Sequence, residues 1–543
     1  MTADLEPRVV QPHRHVTSIN TIHSLELFPA CGEVPGAAGG SGYDAAMAVA
    51  EDLEVASFLK GQPKKLFIGG RWVDAASGKT FGTLDPATGE VLALVAEAGA
   101  EDVDHAVAAA RKSFDRGTWR ELPPAERAKV LWKVGDMLEE RANEFAQLET
   151  LDNGMPINDA LLFHVPLAAA TFRYYAGWVT KLDGATQQVS LPGKYLSYTL
   201  REPIGVVGQI IPWNFPLLMA AWKLAPALAC GNSVVLKPSE ETPLSALLLA
   251  ELLQQAEVPD GVVNVVPGRG EVAGARLASH PDVDKIAFTG STDVGRLIAR
   301  ASSESNLKRV SLELGGKSPN IVFADADLTR AVSGAFFGIF FNQGQVCSAG
   351  SRLFIQEKVY DHALDELLKT VSETRIGPGI DPITQMGPLV SKTQMERVLG
   401  YVAQGNKEGA RLLAGGERAE GLDRGYFVKP TVFADVDGEM RIAREEIFGP
   451  VVAAIRFSDE KDLVAKANNT IYGLVAGVWT KDVARAHRVA HAIKAGTVYV
   501  NCYHIVDPVT PWGGYRQSGW GRELGPYALD LYTELKNVIV DIG

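Results

Sequence analysis

The fold is decided by four short apolar segments: GVVGQII (205–211), SVVLKPS (233–239), GVVNVVPG (261–268) and DKIAFTGS (284–291). Helical spacing is predicted between them, from Met219 to Ala229, from Pro243 to Glu257 and from Val272 to Ala278. Strands that are apolar on both faces and alternate with helices form a parallel sheet that is covered on both sides. These four segments and the helices between them therefore predict an α/β fold.

A second alternation of strands and helices extends from Asn320 to Val500. Two α/β units predict a cleft between them that holds a cofactor and a substrate. The chain has 543 residues, more than one hydrophobic core normally serves, so several domains are expected. Residues 1–62 differ in composition and contain GEVPGAAGGSG (32–42). They predict a poorly structured extension with a short helix from Tyr43 to Leu59.

Composition excludes several classes of protein. The net charge of −12 opposes binding to nucleic acid or to anionic lipid. The four cysteines are far apart and form no C-x-x-C pair, which argues against a disulfide framework or a zinc site and favours a reducing compartment. No apolar run is long enough for a membrane span, and no secretory signal is evident.

The segment FNQGQVCSAGSR (341–352) places Cys347 among small and polar residues. Glycines on both sides let the backbone approach a ligand and leave the sulfur accessible. Taken alone, the segment fits either a nucleophilic thiol or a small core residue. Cys230, in helix-like sequence, and Cys502, after a strand, are interpreted as packing residues.

The segment RVSLELGGKSPNIVF (309–323) places Glu313 in an apolar run that breaks at two glycines. A carboxylate at the end of a buried strand is costly unless it has a partner or a task. Partial burial would raise its pKa and suit it to act as a general base. A structural glutamate in a salt bridge is the alternative.

Two further segments carry polar groups. In IIPWNFPLLMAAWK (210–223), Asn214 is a single amide in an aromatic setting, which fits either a hydrogen-bond donor to an oxyanion or a helix cap. In FTGSTDVGRLIA (288–299), Gly290 and Ser291 lie between a strand and a helix, where backbone N–H groups can bind phosphate. The second signal is weak by itself.

Together these segments resemble the NAD(P)-dependent aldehyde dehydrogenase superfamily from about Lys65 to the C-terminus. The motifs occur in the family's order: PWNFP, LKPSEETP, FTGST, LELGGKSP, GQVCSAGSR, EEIFGP and GGYRQSGWGRELG. The resemblance implies an α/β fold with a Rossmann-like cofactor-binding domain, an α/β catalytic domain and a small β oligomerisation domain. The implied boundaries are 63–181 with 204–315 for the NAD-binding domain, 316–515 for the catalytic domain, and 182–203 with 528–543 for the oligomerisation strands.

The resemblance also implies catalytic roles. Cys347 matches the thiol that attacks the aldehyde and forms a hemithioacetal and then a thioester. The side chain of Asn214 and the backbone N–H of Cys347 match the oxyanion donors. Glu313 matches the base that activates water for hydrolysis, and Lys223 with Glu523 matches a pair that helps proton movement near that base.

NAD is the implied cofactor, and no metal is expected. Lys237, Ser239 and Glu240 match the residues around the adenosine ribose, and Trp213 matches an adenine-side contact. Gly290 and Ser291 match the pyrophosphate site. Glu446 and Phe448 match the residues around the nicotinamide ribose and ring.

The substrate is expected to be an apolar aldehyde, aryl-substituted or medium-chain, because the positions that match the family's tunnel carry no Lys or Arg. These positions are Phe215, Leu218, Met219, Trp222, Val346, Ser348, Val506 and Trp512. Helical spacing of the first four fits ordinary core packing equally well. The motifs are most similar to phenylacetaldehyde dehydrogenase-like members. A cytoplasmic homo-oligomer, dimer or tetramer, is expected, because an exposed apolar tail, LKNVIVDIG (535–543), would otherwise risk aggregation.

Other functions are compatible with parts of this pattern. A cysteine, a base and an oxyanion site could hydrolyse esters without a cofactor, but the ribose and pyrophosphate motifs argue against that as the main activity. A binding protein that has kept the fold would have lost Cys347 or Glu313. Transfer of the acyl group to coenzyme A is disfavoured by Glu313, and a broad-specificity aliphatic aldehyde dehydrogenase stays an alternative.

Overall fold

The four apolar segments form neighbouring parallel strands in the computed structural model, which describes residues 53–543. The strands are β7 (Val206–Ile210), β8 (Ser233–Lys237), β9 (Val263–Val265) and β10 (Lys285–Thr289). Every residue of these strands is buried, as expected where both faces of a sheet are covered. The predicted α/β fold is confirmed.

This first sheet has the strand order β19–β11–β10–β7–β8–β9–β1–β2. The added strands are β1 (Leu66–Ile68), β2 (Arg71–Val73), β11 (Arg309–Glu313) and β19 (Gly519–Trp520). β11 is parallel to β10, whereas β1, β2 and β19 pair antiparallel at the edges. Because parallel strands share a direction, the residues that follow β7, β8, β10 and β11 lie along one edge of the sheet.

The second alternation forms a separate sheet with the order β14–β15–β16–β13–β12–β17–β18. Its strands are β12 (Pro319–Val322), β13 (Arg352–Gln356), β14 (Arg411–Ala414), β15 (Thr431–Ala434), β16 (Val451–Phe457), β17 (Val475–Trp479) and β18 (Thr497–Val500). All pairings are parallel except that of β14 with β15. The sequence from Asn320 to Val500 therefore folds as predicted.

Two small sheets complete the described strands. A hairpin-like pair is formed by β3 (Thr80–Leu84) and β4 (Val91–Ala96). A three-stranded sheet consists of β5 (Thr186–Gln187), β6 (Tyr195–Pro203) and β20 (Thr533–Asp541), with β20 at an edge. The chain end thus pairs with the segment between the two parts of the proposed NAD-binding domain.

The helices lie mostly between these strands. They are Ala56–Lys60, Ala100–Asp115, Pro124–Glu140, Ala142–Asn153, Ile157–Asp159, Val165–Ala176, Pro216–Ala229, Leu244–Gln255, Ala275–Ser279, Thr292–Glu304, Leu328–Phe340, Tyr360–Ser372, Lys392–Lys407, Arg441–Arg444, Glu460–Asn468 and Val483–Ala492. Short π or 3₁₀ turns occupy Ala160–His164, Gly270–Gly274, Phe341–Gly344, Glu357–Val359, Arg516–Ser518 and Pro526–Leu531. Within residues 53–543, no helix is long and apolar enough to cross a membrane.

Two helix predictions need adjustment. The helix predicted from Met219 begins at Pro216, because proline lacks an N–H and fits the first turn of a helix without losing a hydrogen bond. The segment predicted from Val272 is a π turn that continues into Ala275–Ser279. Most of the predicted N-terminal extension, including the start of its short helix, lies outside the described residues.

Candidate active site

The loop that carries Cys347 begins with a left-handed turn. Asn342, Gln343 and Gly344 all have positive φ angles, of 45°, 57° and 70°. This conformation strains residues other than glycine and persists only where surrounding contacts hold it. The side chain of Gln343 supplies such contacts, since its amide donates to the carbonyl of Pro388 at 3.0 Å and its oxygen accepts from Gly387 N at 3.2 Å.

Asn214 is tied directly to this loop. Its Nδ2 donates to the carbonyl oxygen of Gln345 at 2.8 Å, and Asn342 Nδ2 donates back to the carbonyl of Asn214 at 2.8 Å. Asn214 does not cap the following helix, where a carboxylate oxygen of Glu149 accepts from Leu217 N at 2.7 Å instead. The capping alternative is therefore wrong, and the Asn214 amide lies beside the loop that carries Cys347.

Cys347 is partly exposed, whereas Cys230 is buried within the core. Burial raises the pKa of the Cys347 thiol, and the nearby carboxylates of Glu313 and Glu446 raise it further. Hydrogen bonds from the backbone N–H groups of Ser348 and Cys347 act in the opposite direction and lower this pKa. The thiol is thus accessible and depends on backbone donors to ionise.

Glu313 ends β11 and is buried. It forms no ion pair within residues 53–543, and its Oε2 has no hydrogen-bond partner there. Burial and the charge of Glu523 raise its pKa well above the usual value, although Lys223 and Arg522 oppose this. The structure therefore favours a base over a salt-bridged structural glutamate.

Lys223 and Glu523 form the expected pair. The Lys223 ammonium is fully buried and donates to Glu523 Oε1, while Glu523 Oε2 has no partner in the described residues. The backbone of Glu523 pairs with that of Trp512, through N–O distances of 2.7 and 2.6 Å. Trp512, an expected tunnel residue, is thereby fixed beside the charged pair that acts on Glu313.

The residues expected at the adenosine ribose lie together after β8. Lys237 Nζ donates to Glu240 Oε2 at 2.8 Å, and Gly270 N donates to Glu240 Oε1 at 3.2 Å. Although burial raises the pKa of Glu240, Lys237 and these hydrogen bonds lower it overall. Ser239 is buried, and its hydroxyl accepts from Glu241 N at 3.3 Å. An ionised carboxylate fits the recognition of two ribose hydroxyls.

The expected pyrophosphate site lies at the start of the helix Thr292–Glu304. Ser291 is its N-cap, and the Ser291 hydroxyl accepts from Val294 N at 3.3 Å. Gly290 N donates to the carbonyl of Glu313 at 3.0 Å, which links this turn to the base. Free N–H groups at a helix N-terminus fit a pyrophosphate.

Glu446 and Phe448 lie across from the glycines after β11. Glu446 Oε1 accepts from Gly316 N at 2.9 Å, and burial raises the pKa of Glu446 to about 7. A Cβ on Gly315 would lie 2.2 Å from Glu446 Oε2, so only glycine allows this approach. Phe448 has a φ of 63° and its carbonyl accepts from Gln394 at 2.6 Å. A carboxylate and an aromatic ring in this segment suit a ribose hydroxyl and a nicotinamide ring.

Two of the expected residues have neighbours that differ from those implied by sequence. The ring of Trp213, expected on the adenine side, lies 5.2 Å from the ring of Phe448, expected at the nicotinamide. Val346, expected in the substrate tunnel, lines a small cavity with Gly316, Glu446 and Phe448. Both residues therefore lie beside the Glu446–Phe448 segment.

Three of the remaining expected tunnel residues, Phe215, Trp222 and Trp512, are aromatic and pack against other rings. Trp222 and Trp512 pack edge to face at 5.8 Å, and Phe215 stacks on Phe341 at 6.2 Å. Leu218 and Met219 are buried, and Val506 is partly buried. The sequence gives no role to several residues whose rings extend the contacts of Phe215: Phe163, His164, Phe337, Phe341, Tyr503 and His504. Only tertiary contact identifies them, because they come from three separate segments.

Comparison with known proteins is consistent with this site. The sequence model of the aldehyde dehydrogenase family matches residues 72–538. DhaS of Bacillus subtilis (strain 168) is 55% identical over 91% of this chain and 99% of its own length. The mitochondrial benzaldehyde dehydrogenase of Antirrhinum majus is 48% identical over 92% of each chain. The chain belongs to the aldehyde dehydrogenase family.

A solved structure extends this result to the cofactor. The NAD⁺ complex of an aldehyde dehydrogenase from Bacillus cereus is 54% identical, with a TM-score of 0.88 over 90% of this chain and 99% of the other. The chain is an NAD-dependent aldehyde dehydrogenase with the fold of that enzyme. A cofactor-independent hydrolase is therefore not its main activity.

Proposed function

We propose that Cys347 is the nucleophile of aldehyde oxidation and that Glu313 is the base of thioester hydrolysis. The observation that supports this assignment is the set of groups around the loop that carries Cys347. A partly exposed thiol is held beside the Asn214 amide, and a buried carboxylate with an unpartnered oxygen acts on the same thiol. These are the three groups that acyl transfer through a cysteine requires.

In this mechanism the Cys347 thiolate attacks the aldehyde carbon. The Asn214 amide and the backbone N–H of Cys347 stabilise the oxyanion of the hemithioacetal. NAD held near Glu446 and Phe448 would supply the hydride acceptor, and loss of the hydride would leave the acyl group on Cys347 as a thioester. Glu313 then takes a proton from water, which attacks the thioester and releases the carboxylic acid.

The charged pair beside Glu313 would control where that proton goes. Glu523 raises the pKa of Glu313 and Lys223 lowers it. Glu523 Oε2 has no partner in the described part of the chain and is available to exchange a proton. We assign Lys223 and Glu523 to proton transfer between Glu313 and solvent.

For the cofactor, we assign Lys237, Ser239 and Glu240 to the adenosine ribose and the turn at Gly290 and Ser291 to the pyrophosphate. Glu446 and Phe448 are assigned to the nicotinamide riboside. We place Trp213 with them rather than on the adenine side, because its ring contacts Phe448. These assignments rest on the chemistry of the side chains and on the resemblance to the family.

NAD is expected to be preferred over NADP by at least about a hundredfold in kcat/KM. The low pKa of Glu240 keeps a negative charge where a 2′-phosphate would bind, and like charges at close range repel. Glu240→Gln should narrow the preference by about tenfold or more. Initial rates with both cofactors measure this directly.

Glu241→Gln is the matched control, since it removes the same charge one residue away from the proposed ribose contact. It should leave the NAD/NADP ratio within about twofold. Equal kcat/KM values for the two cofactors in the wild-type enzyme would show that Glu240 does not face the 2′ position.

We propose an apolar aldehyde, aryl-substituted or medium-chain, as the substrate. Phe215, Trp222, Phe341 and Trp512 give an aromatic wall without a Lys or Arg to hold an acidic group. His504, whose ring contacts that of Phe341, is kept neutral because burial lowers its pKa to about 4. A relative of similar length bears the name benzaldehyde dehydrogenase, which agrees with this class.

A panel of phenylacetaldehyde, hexanal, acetaldehyde and succinic semialdehyde with NAD tests the substrate class. Each additional buried CH₂ contributes about 0.8 kcal/mol, so a preference of about tenfold to a few hundredfold for the first two is expected in kcat/KM. A highest kcat/KM for acetaldehyde or for succinic semialdehyde would contradict the apolar tunnel.

The enzyme is proposed to be a homo-oligomer, a dimer or a tetramer. β20 is an edge strand whose side chains are largely exposed, including Leu535 at 65% and Ile539 at 58%. An exposed apolar edge pairs readily with another chain. Light scattering should therefore give a mass of two or four chains, and a stable monomer would refute the proposal.

The domain boundaries given above are kept as a proposal, with the sheet of β5, β6 and β20 as the oligomerisation element. We also propose a cytoplasmic location. The bacterial relative DhaS matches over nearly its whole length, and the cysteines Cys230, Cys347 and Cys502 are all free. Fractionation of the native host with detection of NAD-dependent activity tests the location.

A further inference from the structure

Ser348, the residue after Cys347, has neighbours at its backbone N–H, its carbonyl oxygen and its hydroxyl. Its backbone N–H lies close enough to the Cys347 sulfur to lower the pKa of the thiol. Its carbonyl oxygen accepts from the phenol of Tyr503 at 2.9 Å. Its hydroxyl lies 3.5 Å from Nδ1 of His504. Ser348 is therefore fixed through its carbonyl and its hydroxyl.

The tautomer of His504 follows from its second contact. Nε2 lies 3.2 Å from the carbonyl oxygen of Gly338, which can only accept, so Nε2 carries the proton. Burial lowers the pKa of His504 to about 4, and the ring is neutral at pH 7. Nδ1 consequently accepts from the Ser348 hydroxyl, and the same Gly338 carbonyl also accepts from Gly350 N at 2.8 Å.

The ring of Tyr503 cannot turn away from Ser348. A Cβ added to Gly477 would lie 2.6 Å from this ring, and one added to Gly338 or Gly350 would lie 3.2 or 3.1 Å from Tyr503. Burial raises the pKa of its phenol, which keeps it a donor. His504 is packed in turn against the rings of Phe337 and Phe341, at 5.5 and 5.7 Å.

We propose that Tyr503 and His504 are positioning residues that fix Ser348 so that its backbone N–H is directed at the Cys347 sulfur. A fixed donor stabilises the thiolate over the thiol, and a donor that moves stabilises it less. The inference rests on the proposed role of Cys347. The other titratable groups that act on this sulfur or titrate with it are Glu313, Glu446, Tyr499 and Tyr503.

Tyr503→Phe removes only the phenol oxygen and keeps the ring between the glycines. In the full-length enzyme, alkylation of Cys347 by iodoacetamide at pH 7 should slow by about tenfold, and the pH of half-maximal rate should rise by about one unit. The KM for NAD should change by less than about twofold, because no cofactor contact is lost. Mass spectrometry confirms that Cys347 carries the label.

The control is Tyr360→Phe, which removes another buried phenol that donates to a backbone carbonyl, that of Ala454 at 3.2 Å. It should lower thermal stability similarly and leave the alkylation profile unchanged. An alkylation profile of Tyr503→Phe that superimposes on the wild type, or an equal shift in Tyr360→Phe, would overturn the proposal.

A double-mutant cycle of His504→Phe and Ser348→Ala tests the second contact. The effect of His504→Phe on alkylation should be smaller in the Ser348→Ala background, and strictly additive effects would refute the hydrogen bond. Failure of the proposed function can be told apart from failure of this positioning role. In the first case turnover would survive Cys347→Ala, whatever these variants do to alkylation.

Discussion

Replacement of Cys347 by alanine is expected to lower aldehyde-dependent formation of NADH by at least about 10⁴-fold. No other thiol lies on the loop that Asn214 holds, so no residue can take over the covalent step. Binding of NAD, measured by titration calorimetry, should be retained. Loss of turnover with retained cofactor binding separates a missing nucleophile from a misfolded site.

Cys502→Ala is the matched control, because Cys502 is the other partly exposed thiol in the described residues. It should keep activity within about threefold of the wild type, since it removes no proposed catalytic atom. Steady-state activity of Cys347→Ala near the wild-type value would remove the thioester mechanism, and a large loss in Cys502→Ala would point to a second reactive thiol.

The fold was predictable because its signals are local. Continuous apolar runs such as GVVGQII are typical of strands that are covered on both faces, and their alternation with helical segments indicates a parallel sheet. Cys347, Glu313 and Asn214 were also identifiable. Cys347 is a reactive residue among small and polar ones, Glu313 is a carboxylate in an apolar run, and Asn214 is a single amide among aromatic residues. The structure then argued against two of the alternatives, an Asn214 helix cap and a salt-bridged Glu313.

The proposed aromatic wall was less predictable, because its contacts join residues that are distant in sequence. Phe341 stacks on Phe215 and also contacts His504, although these residues lie more than 100 positions apart in sequence. An aromatic residue on a helix looks the same in sequence whether it faces a core or a tunnel. Tyr503 is recognisable as a positioning residue only because three glycines from different elements surround it.

At Trp213 the family pattern predicts a contact on the adenine side, whereas its ring lies beside that of Phe448, the residue predicted at the nicotinamide. A motif fixes which residue is present, but the direction of a side chain depends on what packs against it. The ring of Phe448 provides that packing, and the backbone of Phe448 is in the left-handed region. Tertiary contacts therefore decide which end of the cofactor a motif residue meets.

Glu313→Gln is expected to convert the enzyme into one that completes a single turnover quickly and then stalls. The amide cannot take a proton from water, so hydrolysis of the thioester should slow by about 10²- to 10⁴-fold while its formation is much less affected. A burst of NADH close to one equivalent per site should precede the slow phase. Rapid quenching and mass spectrometry should detect the acyl group on Cys347.

The pH dependence of thioester hydrolysis in the enzyme that keeps Glu313 provides a second test of this residue. A base works only when deprotonated, and the raised pKa of Glu313 means that hydrolysis should increase with pH through that raised value. Glu523→Gln removes the like charge and leaves Lys223 unpaired. Both changes lower the pKa of Glu313, so the profile should move to lower pH.

Glu241→Gln serves as the control for loss of a carboxylate, because Glu241 lies outside the proposed base network and should leave burst and pH profile unchanged. Two results would contradict the assignment of Glu313. One is a Glu313→Gln enzyme with wild-type steady-state turnover and no burst. The other is a Glu523→Gln profile that moves to higher pH, because the nearest charge that raises the pKa of Glu313 would then lie elsewhere.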